Sequence, residues 1–188
     1  MSADAHDMLA HDRLRLARTD GIGPVAYRKL LDRLVAAGAA LQALPGLAAA
    51  AGRRAPPRVP AAAEAAREAA FVAGLGGRLR FLGDQDYPAL LAELADAPPV
   101  LAVLGDPACL AAPCVAMVGS RNASANGQRL ATAIAEELAA AGYAVVSGLA
   151  RGIDTAAHEG ALRGGRSIAC IAGGIDVAYP VENAALQA

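Results

Sequence analysis

The 188-residue sequence contains no tryptophan, and aromatic residues make up only 3% of it. Lysine occurs once, at Lys29, which leaves no lysine to complete a phosphate-binding loop of the G-x-x-x-x-G-K-[ST] type. Cysteine is sparse: Cys109, Cys114 and Cys170 have no metal-ligand spacing and leave an odd thiol in any disulfide scheme. A reduced, cytoplasmic chain without metal or cofactor is expected, with Cys170 buried in an apolar strand as a small hydrophobe. Neither sign of charge dominates, because 17 Lys and Arg face 18 Asp and Glu. Residues 113–188 carry five arginines against six carboxylates, so no long-range field steers a polyanion toward them. Every apolar run is broken by Gly, Pro or charge well before the roughly 18 residues of a membrane span. The start, MSADAHDMLA, lacks the basic and apolar blocks of a signal peptide.

What the chain does have is small apolar residues. Its hydrophobic share is 55% and its charged share 19%, with much of the former alanine. A folded, helix-rich core follows, closely packed and burying little area per residue. Residues 7–50 read as short helices broken at TDGIGP, after which Tyr27, Leu30, Leu31 and Leu34 recur at helical spacing. A second break is predicted at LPGL, Leu44 to Leu47. The Pro- and Arg-rich GRRAPPRVP reads as a linker, and Pro60 suits the first turn of an alanine-rich helix reaching about Leu75. The predicted organisation is a helical domain over 1–52, a linker over 53–60 and an α/β core over 61–188. That core is expected to be cut short at its C-terminal end, where VENAALQA stops as a helix begins. A sheet edge left open by such a cut invites association or instability.

From Arg78 the pattern changes. RLRFL and PVLAVLG are short strands separated by a short helix in DYPALLAEL. CVAMV (114–118), AVV (144–146) and SIACIA (167–172) are strands, separated by helices over Asn126–Ala141, with Leu130, Ile134 and Leu138 on one face, and over Gly152–Arg163. Apolar strands alternating with helices of this length predict a doubly wound, mainly parallel sheet covered on both faces.

In a parallel sheet all the carboxyl ends lie on one side, and ligands bind there. GSRNASANG, SGLARGID and GGIDVAYPVEN follow three successive strands. Glycines permit close approach of backbone to ligand, helix N-termini offer free N–H groups, and Arg121 and Arg151 add charged forks suited to phosphate. The plainer reading makes these ordinary tight turns with solvated arginines. Convergence of three such loops on one rim favours a phosphate-rich ligand. GSRNASANG lacks G-x-G-x-x-G, and the second strand ends in Ser147 rather than an acidic ribose-binding residue, so a dinucleotide fits poorly. GLARG is not the G-x-S-x-G of a nucleophile elbow. Asp154 and His158, at i and i+4, share a helix face. They read as a carboxylate complementing the helix N-terminus with a hydrogen-bonded neighbour, or alternatively as part of a ligand site.

MVGSRNASANG, VVSGLARGIDTAAHEGAL and GGIDVAYPVEN, in this order and spacing, resemble the bacterial DNA-processing protein A family (DprA, also called Smf or DNA-protecting protein). The resemblance implies a small SAM-like or helix-hairpin-helix domain before a Rossmann-like core. It also implies single-stranded DNA binding, loading of the RecA recombinase during natural transformation, contact with single-strand binding protein, and a homodimer. Arg121 and Arg151 would then contact phosphates, with Gly119, Ser120, Ser147, Gly148, Gly152, Gly173 and Gly174 lining the same pocket through backbone and hydroxyl donors. Asp154, His158, Asp176, Tyr179 and Asn183 are possible supporting residues. No catalytic residue is implied.

TDGIGP, flanked by Arg18, Arg28 and Lys29, is either an ordinary helical hairpin or a backbone grip on a DNA phosphate. With so few aromatics, binding dominated by backbone phosphate contacts is expected. The alternative is a nucleotide- or phosphosugar-processing enzyme using Asp154, His158 or Asp176, although the P-G-G-x-G-T run expected of such enzymes is absent. A third reading makes the rim a protein docking surface.

Overall fold

The computed structural model describes residues 3–187. It divides into two compact units, one ending at Gly105 and the other beginning at Asp106.

The first unit is mostly helical, with α1 (Ala3–Ala17), α2 (Pro24–Leu34), α3 (Ala37–Ala50) and α4 (Ala62–Gly74). An antiparallel pair follows, β1 (Arg78–Phe81) with β2 (Val100–Val103), enclosing the short α5 (Ala89–Ala92). Pro24 opens α2, where the missing N–H costs nothing. The Glu64 carboxylate accepts the Ala61 N–H at 2.7 Å and closes the first turn of α4. Leu16, Tyr27, Ala37, Ala40 and Leu44 form one core, and Leu14, Ala65, Phe81 and Val100 another.

The predicted break at LPGL is absent, since α3 runs through Pro45. Its buried stripe Ala37, Ala40, Leu44 and Ala48 continues across the proline, so packing of that face outweighs one lost backbone bond. Residues 53–60 are irregular, as a linker would be. They nevertheless lie within the first compact unit, because α1 packs on both α3 and α4. The Asp20 N–H donates to Arg58 O at 3.2 Å and Arg15 Nε to Pro60 O at 2.9 Å.

The second unit is the expected Rossmann-like α/β structure. After a 3₁₀ turn at Pro107–Ala111 come β3 (Cys114–Ala116), α6 (Ala125–Ala140), β4 (Ala144–Ser147), α7 (Ile153–Gly164) and β5 (Arg166–Ala169). The chain continues through a second 3₁₀ turn, Val181–Asn183, into the short α8 (Ala184–Gln187). The strands are parallel in the order β3–β4–β5, with Val115 beside Val145 and Val145 beside Ser167. Because the order runs one way across the sheet, right-handed crossovers bring α6 and α7 to the same side. There Ala135, Ala139, Ala157 and Ala161 pack with Val145 in one cluster, so the two helices lie together rather than one on each face. Cys170 falls just beyond β5 and is exposed, not buried in a strand.

The face of α6 turned to the core is only in part the predicted one, since Leu138 packs against the cluster but Leu130 and Ile134 do not. Leu130 is 63% and Ile134 42% exposed, while Ala131, Ala135 and Ala139 are buried. The reason is the closeness of α7. A Cβ added at Gly160 would lie 2.2 Å from Thr132 O, and one at Gly164 2.2 Å from Glu136 O. Such an approach leaves room only for small residues along the seam, and Leu130 and Ile134 are turned away from it. Thr132 Oγ1 donates to Ala156 O at 3.2 Å across the same seam.

Gly160→Ala should therefore lower stability by about 1–3 kcal/mol through overpacking, read as a reduced urea midpoint. Gly46→Ala is the counterpart, because an added Cβ there meets nothing within 4 Å. It should raise helix stability by up to about 1 kcal/mol. Equal effects of the two changes would contradict the seam.

Candidate functional site

The carboxyl ends of β3, β4 and β5 carry the three glycine-bearing loops, and the first two interlock. Gly152 has φ +83°, a conformation that favours glycine. A Cβ there would meet Ser120 O at 2.2 Å. The next amide, Ile153 N–H, donates to the same carbonyl at 3.2 Å. From the other side Gly119 lies against Ile153, whose Cγ1 would be 2.6 Å from an added Cβ. The turn itself is held by Ser120 Oγ, which accepts the Asn122 N–H at 3.1 Å. Ser124 Oγ caps α6 by accepting the Gly127 N–H at 3.2 Å.

The second loop is braced from within. Asp154, 7% exposed, accepts the Gly148 N–H at 3.1 Å and the Ala150 N–H at 3.4 Å through Oδ2. Ser147, 3% exposed, donates its hydroxyl to Met117 O at 2.7 Å and so joins the ends of β3 and β4. The Ser147 hydroxyl and the Gly148 N–H, expected as donors to a ligand, are thus already engaged by the fold. The helix N-terminus is partly occupied: Ile153 N–H is bound to Ser120 O and Thr155 N–H to Ala150 O at 3.1 Å. The third loop joins through Asn183. Its buried Nδ2 donates to Leu149 O at 2.9 Å and to Thr155 Oγ1 at 2.8 Å. The Leu149 backbone has φ +57° and its side chain is buried.

These braces bring Arg121, Ala150, Arg151, Tyr179 and Pro180 around one shallow depression. Arg121, Arg151 and Tyr179 are exposed. Among the described residues neither guanidinium enters a salt bridge, whereas Arg163 pairs with Glu136 at 3.5 Å. Two unpaired guanidiniums on one rim can donate to an anion, phosphate above all. Gly173 and Gly174 belong to the third loop but do not line the depression. Asp176 folds back on Gly174, its Oδ1 2.7 Å from where a Cβ would sit. Ala150 and Pro180 line the depression without having been predicted, and an alanine and a proline carry no signal that would mark them.

Asp154 and His158 do not pair with each other by a hydrogen bond. His158, 2% exposed, places Nδ1 2.6 Å from Ser167 Oγ on β5. Burial lowers its pKa below the ordinary value, and the Asp154 charge and the Ser147 carbonyl oppose that shift without overcoming it. Among the described residues no group of three or more His, Cys, Asp or Glu side chains gathers to hold a metal ion.

In the first unit the TDGIGP turn joins α1 to α2, with Gly21 at φ +75°. Two of its three flanking cations are engaged elsewhere. Arg18 pairs with Glu68 at 2.8 Å, and Arg28 donates to Ala92 O at 2.9 Å and Leu94 O at 2.8 Å. Lys29 lines a concavity at the start of α2 with Gly23, Pro24, Val25 and Ala26. Among the described residues no single helix is long and apolar enough to cross a membrane.

Parallel strands joined by helices, with an arginine-bearing rim at their carboxyl ends, define a Rossmann-like α/β unit. The chain belongs to the DNA recombination-mediator protein A family, which residues 78–188 match. Residues 7–70 match the DprA-like N-terminal HHH domain. The DNA processing protein DprA of Streptococcus pneumoniae is 46% identical over 105 residues, covering 55% of this chain and 37% of that protein. Protein Smf of Escherichia coli is 41% identical over 103 residues, covering 54% and 28%. These sequence matches thus cover well under half the length of either relative. The X-ray structure of the Streptococcus pneumoniae protein superposes with a TM-score of 0.67 at 32% identity, over 93% of this chain and 61% of that one. A structure of DNA processing protein A from Helicobacter pylori, described for its single-stranded DNA binding mode, gives a TM-score of 0.51 at 32% identity. That match covers 58% of this chain and 50% of the other.

Buried His158 sets an expected pH dependence. The unfolded chain takes up a proton at this residue near pH 6.5, which the folded state resists because its pKa is lowered. The contribution is complete above about pH 6.5 and is lost as pH falls toward the lower folded pKa. The urea midpoint should drop between pH 7.5 and 5.5, and His158→Asn should remove part of that drop. An unchanged pH slope in the variant would refute the assignment.

Proposed function

We propose that this chain binds single-stranded DNA at the rim, with Arg121 and Arg151 each neutralising backbone phosphate. The observation that carries the reading is the depression shared by two guanidiniums without protein partners. The Arg121 and Arg151 backbone N–H groups, also without partners among the described residues, are among the amides available to add to them. Gly119, Ser120 and Gly152 serve by holding the two loops together. Ser147, Asp154 and Asn183 serve from beneath the surface, and Gly148 by the amide it gives to Asp154. Gly173, Gly174 and Asp176 shape the third loop behind Tyr179.

Family membership and the single-stranded DNA named for the Helicobacter pylori neighbour support this choice of ligand. By extension the proposal includes delivery of the strand to the RecA recombinase in the presence of single-strand binding protein, by a homodimer in the cytoplasm. Binding is favoured over turnover by the state of the candidate acids and bases. Asp154 is spent on two amides, His158 bonds Ser167 through Nδ1, and both are buried away from the rim surface.

A net charge of −1 supplies no general attraction for DNA, so affinity depends on the local contacts. Titration of a fluorescent dT oligonucleotide at several salt concentrations tests the reading. Arg121→Ala and Arg151→Ala should each weaken binding and flatten the log–log salt slope by about 0.7. Wild-type affinity and slope in both variants would remove the phosphate role. Duplex DNA bound as tightly as dT would remove the single-strand role.

A further inference from the structure

The second unit has two aromatic side chains, Tyr143 and Tyr179. Tyr143 immediately precedes β4 and so lies at the end of the sheet away from the rim. Tyr179 is therefore the one ring at the depression, and it is 71% exposed. The fold makes little use of it. Among the described residues its hydroxyl has no hydrogen-bond partner, and neither Arg121 nor Arg151 stacks on its ring, although both share the depression.

Its backbone is held much more firmly than its side chain. Pro180 next to it is buried, and the Pro180 carbonyl accepts the Asn183 N–H at 3.0 Å. The Asn183 side chain in turn grips the second loop. A ring presented to solvent from an anchored segment, beside two unpaired cations, is the arrangement used to stack a base whose phosphate is held alongside.

We propose that Tyr179 is a stacking platform for an unpaired base, and that this contact makes the rim select single strands. In a duplex both faces of each base are already stacked, so the ring has nothing to receive. A polyanion without bases would engage the arginines alone. The inference rests on the phosphate-binding reading above and adds a base contact to it.

The test compares a dT oligonucleotide with an abasic one of equal length, by anisotropy, for wild type, Tyr179→Ala and Tyr179→Phe. Wild type should prefer dT by roughly five- to 150-fold. Tyr179→Ala should lose that preference and keep its affinity for the abasic strand, with an unchanged salt slope. Tyr179→Phe, which keeps the ring, should restore most of the preference. If Tyr179→Ala binds dT as wild type does, the stacking role falls and the arginine reading stands. If Tyr179→Ala weakens both strands equally, Tyr179 supports the loop rather than a base, and the stacking role again falls. If wild type binds neither strand, the reading beneath it falls as well.

Discussion

The contact on which the rest of the second unit depends is the approach of Gly152 to the Ser120 carbonyl. With a Cβ excluded at 2.2 Å and φ at +83°, no other residue fits there without moving one loop off the other. Ile153 extends the contact in both directions, donating its amide to Ser120 O and receiving Gly119 against its side chain. Arg121 follows Ser120 and Arg151 precedes Gly152. Locking the two backbones therefore brings the two guanidiniums to one rim, and it does so before any ligand arrives. Preorganisation of this kind removes part of the ordering cost that binding would otherwise carry.

Beneath the rim the same economy of side-chain volume recurs between α6 and α7. Gly160 and Gly164 press on the carbonyls of Thr132 and Glu136, and alanines fill the remaining seam. Each alanine buries little apolar area, so cohesion comes from the number of close contacts rather than the size of any one side chain. A rigid helix pair then fixes where β4 ends and α7 begins. This links an alanine-rich composition to the positions of the rim loops. Asp154 completes the link, as a first-turn residue of α7 whose carboxylate is turned back onto the loop that precedes it.

Much of this was legible in the sequence because it follows from chain direction. Parallel strands separated by helices must end on one side, so the placing of the three glycine-bearing loops, with Arg121 and Arg151 in them, follows from the order of strands and helices alone. What escaped reading depends on distances between elements. Leu130 and Ile134 have the spacing of a buried stripe, yet the closeness demanded by Gly160 and Gly164 turns the alanine face inward. Pro45 has the local character of a break, yet the stripe from Ala37 to Ala48 carries α3 past it. Ser147 and Gly148 look like ligand donors. Only their long-range partners, Met117 O and Asp154, reveal that they are already taken.

The rim so described is a rigid feature with exposed charged tips, and its rigidity can be read amide by amide. Native-state hydrogen exchange at Gly148, Ala150 and Ile153 tests it most directly, since each N–H is bonded across or within the interlocked loops. Opening of these amides should require a free energy close to that of the β4 strand amides. Exchange at the rate of an unstructured loop, while β4 stays protected, would show that the loops are not locked and that the arginines meet only by chance.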